Sequence, residues 1–331
     1  MQSTETLLLT RQEVAELLTM EECITAVEHA FKLYATGKAP APGTLGIHSK
    51  EGVFHTKAGI LNLQKNYFVS KTNANFPNNF DRNRLPTIQG LIIVCDADNG
   101  RFLALMDGIE ITILRTGAAT AVAAKYLARK DAKTITICGC GNQGRISLKA
   151  VMQVRPLEKV FCYDINKQSA IHFADELSKE LGLFIEPVND LKMAISNSDI
   201  CVTCTPSKEP FLIMEYIVPG TFIAAVGADN ENKQELDPSI LSLGKLVTDI
   251  TSQCASMGEL HHALKAGVMK QSDVYGELGQ IISGEIEGRT SDEEIIVFDS
   301  TGTALQDIAS AAIVYEKAIS RKMGMKFNFA K

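Results

Sequence analysis

The run TITICGCGNQGRISLKA, Thr134 to Ala150, constrains the fold more than any other part of the chain. A β-branched strand pattern meets Gly139, Gly141 and Gly144 at the spacing G-x-G-x-x-G, and a helix pattern follows. A strand, a glycine turn and a helix in this order form one step of a doubly wound parallel sheet, and the helix N-terminus can receive a pyrophosphate. Gly141 lets the backbone approach that ligand, and Gly144 lets the helix pack on the strand. The next strand, KVFCYD, ends in Asp164, 25 residues after Gly139. An acid about 20 residues on is where the adenosine ribose is held. A carboxylate there repels a 2′-phosphate, so NAD(H) is favoured over NADP(H), with Asn166 and Lys167 softening the preference.

The surrounding chain agrees with that sheet. After a small-residue helix from about Ile111 to Ala128, strands TITIC, KVFCYD, FIEPV, DICVTCT, TFIAAVG, KLVTDI and IIVFDS alternate with helical stretches. Such alternation predicts a parallel sheet with crossover helices. The segment before it differs. Thr10-x-x-Glu13 and Thr19-x-x-Glu22 are two capping boxes, predicting a helical pair that ends near Gly37. From Thr44 to about Asp107, five strand-like runs follow without intervening helices, and DADNG marks a hairpin. An antiparallel sheet is expected there. The closing stretch ALQDIASAAIVYEKAIS has apolar residues at Leu305, Ile308, Ala312 and Tyr315, and should dock as an amphipathic helix on the first domain. The expected fold is α/β: a Rossmann-type doubly wound parallel sheet over 114–302, and an α+β substrate-binding and dimerisation domain over 1–113 and 303–331.

With a net charge of −6 and no basic stripe, the chain lacks the footprint of a nucleic-acid binder. Its apolar runs are too short to span a bilayer, and MQSTETLLLTRQE has no basic signal-peptide region, so a cytoplasmic protein is expected. The eight cysteines include the C-x-x-C pair Cys201 and Cys204. They lack zinc spacing and sit in apolar strands, so they read as small buried thiols and no metal site is assigned. His261 and His262 read as a solvated helix.

Four residues stand out as carriers of chemistry. Lys57 in FHTKAG and Lys71 in FVSKTNANFPNN lie in strand runs. Arg115 is read in the first turn of a helix, where it opposes the dipole and calls for an anion. Asp229 in AAVGADN follows a buried strand, at the strand end where doubly wound folds put ligands.

Read together, FVSKTNANFPNN, LPTIQGLIIVCDADNGRFLALMDG, ILRTGAATAVAAKYLARK, ICGCGNQG, TPSKEP, AAVGADNENKQELD and IIVFDSTGTALQD resemble the ornithine cyclodeaminase/mu-crystallin family, with LARK, GADNENKQELD and GRTSDEEIIVFDSTGTALQD most like its archaeal-type alanine dehydrogenases. The resemblance implies a homodimeric NAD(P)-dependent enzyme acting on a small amino or imino acid. It implies Lys71 and Asp229 as catalytic groups and Arg115 as the carboxylate ligand. It further implies Gly139, Gly141, Asn142, Gln143, Gly144, Asp164, Thr116, Thr205, Val226, Gly227 and Ser300 around the dinucleotide. The chain departs from the family pattern at Thr44, where Arg or Lys is usual, at Lys57, where Met is usual, and at His55, which is Arg in the alanine dehydrogenase type. Lys57, with His55 nearby, is therefore expected to replace a missing substrate cation.

The resulting expectation is an amino-acid dehydrogenase or imino-acid reductase that transfers hydride between nicotinamide and the α-carbon. With two lysines and an arginine in the site, like charge should push a lysine pKa down. One alternative is a ring-forming cyclodeaminase, for which no carboxylate of the first domain clearly offers a contact to a distal amine. The other is a mu-crystallin-like nucleotide- or ligand-binding protein with low turnover.

Overall fold

A computed structural model describes residues 5–329. In chain order, strand β1 (Thr6–Leu9) precedes helices α1 (Arg11–Leu17) and α2 (Met20–Ala35). Strands β2 (Gly43–His48), β3 (Val53–Asn62) and β4 (Asn66–Asn75), helix α3 (Asn79–Asn83) and strands β5 (Ile88–Asp96) and β6 (Phe102–Asp107) follow. Helix α4 (Ile109–Leu127) leads to β7 (Thr134–Cys138), α5 (Asn142–Val151), β8 (Lys159–Tyr163), α6 (Lys167–Leu181), β9 (Ile185–Pro187), α7 (Leu191–Ser196), β10 (Ile200–Thr203) and β11 (Phe222–Ala225). Then come β12 (Lys245–Thr248), α8 (Thr251–Met257), α9 (Glu259–Ala266), β13 (Gly276–Glu277), α10 (Leu278–Ser283), β14 (Ile296–Asp299), α11 (Ala304–Arg321) and β15 (Met325–Phe327). Two compact units result, one of Met1–Arg115 with Thr303–Lys331 and one of Thr116–Gly302.

The first unit holds a seven-stranded sheet in the order β15-β1-β6-β5-β4-β3-β2. Strands β2 to β6 are antiparallel neighbours, as the unbroken run of strand patterns requires. The sheet is not antiparallel throughout, however: β1 pairs parallel with β6, and β15 closes antiparallel on β1. These added strands have four and three residues, too few for alternation to show in sequence. Both capping boxes form: the Thr10 and Thr19 side chains accept from the backbone N–H groups of Glu13 and Glu22, which reach back to the caps. Helix α11 packs on α2, β3 and β4. Its first nine residues, Ala304 to Ala312, are all buried.

The second unit carries an eight-stranded sheet in the order β13-β12-β14-β11-β10-β7-β8-β9, all pairs parallel. Strand β7 lies inside the sheet and the chain winds away from it in both directions, so the topological switch falls between β7 and β10. In an open α/β sheet the ligand crevice forms at that switch, outside the carboxyl ends of the strands.

Candidate active site

In the first unit, strand register decides the grouping. Lys57 on β3 stands directly opposite Lys71 on β4, and His55 opposite Asn73. Directly opposed residues share a sheet face, so His55, Lys57, Lys71 and Asn73 line one side. Helix α11 contributes to that side: Lys71 Nζ donates to Asp307 Oδ1 at 2.7 Å, with both side chains almost wholly buried. Arg115 Nε lies 3.4 Å from the same oxygen, and Arg115 Nη1 donates to Gln306 Oε1 at 2.9 Å. Two buried lysines, an arginine and a carboxylate are thus assembled from two strands and two helices. Arg115 Nε, Asp307 Oδ2 and Gln306 Nε2 are buried and have no hydrogen-bond partner among the described residues.

Three expectations need correction here. Arg115 does not open its helix. Helix α4 begins at Ile109, which puts Arg115 in the second turn, and the dipole argument does not apply. What calls for a guanidinium at this position is the buried Asp307 and Gln306. The Lys71 pKa does move down, to about 7, but burial is the leading cause and the like charges of Arg115 and Lys57 follow, with Asp307 opposing. The first unit also does contain a buried carboxylate, Asp307, which no local sequence pattern marks. Lys71 and Arg115 already pair with it, so it is committed to cations of the chain itself.

In the second unit, the turn after β7 has the geometry of an anion cradle. Gly139 has φ +105°, a left-handed conformation, and a Cβ there would lie 3.0 Å from the Cys204 carbonyl oxygen. A Cβ on Gly144 would lie 2.1 Å from the Gly139 carbonyl oxygen, so glycine is required for the helix to reach the strand. Gly141 is the N-cap of α5 and makes no side-chain cap, and a Cβ built on it would meet nothing within 4 Å. The first-turn N–H groups, from Asn142 onward, thus start from an open glycine with no capping oxygen. Gln143 Oε1 is buried without a hydrogen-bond partner among the described residues. Asp164, at the end of β8, accepts from the Cys140 N–H and the Asn166 N–H, both at 2.9 Å, fixing its carboxylate beside the glycine turn.

The remaining residues singled out in this unit sit at strand ends or on α4. Thr116 is buried in α4 and its carbonyl accepts from Thr120 Oγ1. Thr205 follows β10, and its N–H and hydroxyl both donate to Glu235 Oε1. Val226 follows β11 and donates its N–H to the Thr203 carbonyl. The N–H of Gly227 donates to Glu235 Oε2. Ser300 follows β14 and donates to Asp249 Oδ2 at 3.1 Å. Asp229 is about half exposed, and its Oδ1 accepts from Lys233 Nζ at 2.7 Å and Asn230 Nδ2 at 3.3 Å. The sequence reading missed Asp307, Gln306, Lys233 and Glu235. Of these, only Lys233 carried a local signal, a cation four residues from an acid.

The ornithine cyclodeaminase/mu-crystallin family model matches residues 4–322. The chain belongs to the ornithine cyclodeaminase/mu-crystallin family. Among solved members it is similar to an archaeal alanine dehydrogenase dimer with bound NAD, at 40% identity and TM-score 0.94, covering 98% of this chain and 99% of that one. It is also similar to the Δ1-pyrroline-2-carboxylate reductase of Thermococcus litoralis in complex with NADH and L-proline, at 36% identity and TM-score 0.91, covering 97% and 99%. The iminosuccinate reductase of Paracoccus denitrificans in complex with NAD+ matches at 33% identity and TM-score 0.89, again covering 97% and 99%. Among the described residues, no helix is long and apolar enough to cross a membrane.

Proposed function

We propose that this chain is an NAD(H)-dependent amino-acid dehydrogenase or imino-acid reductase acting on a small α-amino or α-imino acid. The observation that carries the reading is the buried Lys71–Asp307–Arg115 cluster, with Lys71 brought to about 7, in a chain that also has an open glycine cradle. A protonatable amine held near neutrality is suited to proton work at a reacting carbon or nitrogen.

The cradle fits a dinucleotide. The N–H groups at the start of α5 would hold the pyrophosphate, and Asp164 the adenosine ribose. Gln143, Thr116, Thr205, Val226, Gly227 and Ser300 would complete its surroundings. When bound, the nicotinamide supplies the two-electron exchange with the substrate α-carbon. The remaining steps belong to the chain. Arg115 and Lys57, with His55 beside them, orient the substrate carboxylate, which holds the α-carbon in one pose. Lys71 gives a proton to, or takes one from, the group on that carbon, and Asp307 fixes the amine. Asp229 exchanges the nitrogen proton, and Lys233, donating to its Oδ1 at 2.7 Å, holds that carboxylate in place.

The assay that tests this reading follows NADH absorbance with pyruvate plus ammonia, oxaloacetate plus ammonia, and Δ1-pyrroline-2-carboxylate. These choices follow the names of the three similar enzymes. Net NADH consumption with at least one of them is expected. Ring formation from ornithine without net NADH change would replace this reading with a cyclodeaminase. Tight NADH binding with no turnover would replace it with a binding protein.

NADH is expected to bind more tightly than NADPH, because Asp164 repels a 2′-phosphate. In Asp164→Ala the two affinities should converge. A native preference for NADPH in fluorescence titrations would remove Asp164 from this role.

The active form is a homodimer in this reading. On the sheet face opposite the lysines, Leu45, Ile47 and Phe54 of β2 and β3 and Leu91 and Ile93 of β5 are exposed. These side chains flank the hydrogen-bonded Thr56–Thr72 hydroxyl pair. Exposed apolar side chains grouped on one sheet face mark an interaction surface, and the similar alanine dehydrogenase is a dimer. Light scattering should give twice the 36.0 kDa chain mass. A single-chain mass at micromolar concentration would be the contrary result. Eight free cysteines suit a reducing compartment, and the proposal places the enzyme in the cytoplasm.

A further inference from the structure

We infer that Glu235 is a positioning residue for the nicotinamide half of the dinucleotide cleft, acting as a cross-tie between the ends of β10 and β11. The inference rests on the dinucleotide reading above. In a doubly wound sheet, the pyrophosphate lies at the turn after the first strand and the two nucleotide halves lie on either side of the switch point. With Asp164 and β8 on the adenosine side, the carboxyl ends of β10 and β11 are left for the other half.

Glu235 is fully buried at that place. Its Oε2 accepts from Thr203 Oγ1 at 2.8 Å and from the Gly227 N–H at 3.0 Å. Its Oε1 accepts from the Thr205 N–H at 2.6 Å and from Thr205 Oγ1 at 2.7 Å. The two oxygens thus take their donors from the end of β10, the loop after it, and the loop after β11. No cation pairs with this carboxylate among these contacts; neutral donors alone offset its burial, which raises its pKa. The fit at Gly227 is tight, since a Cβ there would lie 2.5 Å from the carboxylate. That glycine is therefore needed to admit Glu235, whatever its contact with a ligand.

Glu235 is itself held from both sides. Its N–H donates to Glu259 Oε1 at 2.8 Å, and its carbonyl accepts from the N–H groups of Phe211 and Leu212 at 3.0 and 3.1 Å. The next residue, Leu236, forms an isolated parallel bridge with Leu212. A fixed backbone and four accepted hydrogen bonds make the side chain a rigid spacer between the two strand-end loops. Positions Thr205 and Gly227 are set by it, and so is the start of the loop that carries Asp229.

The chemistry gives a sharp variant. Thr205 and Gly227 present backbone N–H groups to opposite oxygens of Glu235, and neither N–H can turn around. In Glu235→Gln, either orientation of the amide sets its NH2 against one of them. A buried donor left unmatched is enough to weaken a dependent site by roughly tenfold or more. Thr203→Val removes one donor by a nearly isosteric change of a fully buried side chain, and serves as the milder variant.

NADH affinity is measured by nicotinamide fluorescence and ADP-ribose affinity by calorimetry, in the native protein and both variants, with thermal melts alongside. ADP-ribose carries the adenosine and pyrophosphate but no nicotinamide. The expected result is an NADH Kd raised about tenfold or more in Glu235→Gln and by a smaller factor in Thr203→Val, with the ADP-ribose Kd within about twofold. A general structural role would weaken both ligands together. Parallel losses, or no loss of NADH affinity in either variant, would overturn the assignment. If Glu235→Gln does not fold, Thr203→Val alone decides by the same comparison. Native protein that binds neither ligand would overturn the dinucleotide reading itself, a result distinct from selective failure of the Glu235 role.

Discussion

Lys71→Met should lower kcat by about 10²–10⁴-fold, the range expected when a positioned proton-transfer group is removed, while NADH still binds. The native enzyme should also show a pH dependence that the variant lacks. With the Lys71 pKa at about 7, amino-acid oxidation, which needs the neutral amine, should rise as pH increases through 7. Reduction of the imine, which needs the ammonium, should fall over the same interval. Folding stability carries a matching signature. Between about 7 and 10.5 the unfolded chain retains a proton that the folded chain has released, so this group makes stability increase with pH across that window. Methionine at position 71 should remove that slope, and thermal melts at pH 7 and pH 9 measure it. Unchanged kcat in Lys71→Met would remove the lysine from the chemistry.

Lys57→Met should act on a different parameter. A carboxylate contact is similar in the ground and transition states, so its loss raises KM and leaves kcat less affected. Truncating one partner of a buried charge contact costs ~2–5 kcal/mol, enough for a large rise in KM. The register adds a second effect. Lys57 stands opposite Lys71 and is one of the charges that hold the Lys71 pKa down. Its removal should move the pH limb of the remaining activity upward. Steady-state kinetics of both lysine variants across pH separate the two roles. An unaltered KM in Lys57→Met would leave the substrate carboxylate to Arg115.

The local patterns of the sequence carried the architecture well. A strand followed by Gly139, Gly141 and Gly144 and then a helix is a short-range object, and its steric demands are met within a few residues of the turn. Capping boxes at Thr10 and Thr19 and the alternation of strands with helices after Glu110 are short-range in the same sense. The Lys57–Lys71 pairing was nearly within reach. The two lysines lie equally far from Gln64, the centre of the β3–β4 turn, so the hairpin register alone brings them together.

Arg115, Asp307 and Glu235 could not be judged in that way. The start of α4 placed Arg115 in a second turn, and only its contacts with α11, nearly two hundred positions later, explain its burial. Asp307 sits in a helix whose first half is buried all round, so no polar face distinguishes it from a solvated acid. Glu235 lies in an irregular loop with no periodicity, and its four donors come from three separate residues on two strands' ends. Backbone pattern is set largely by neighbours in sequence, which determined the glycine turn, the caps and the strand–helix alternation, while the short strands β1 and β15 depended on pairing across the sheet. The protonation and partners of a buried charge are set by whatever the fold packs against it, and only the tertiary structure decided those.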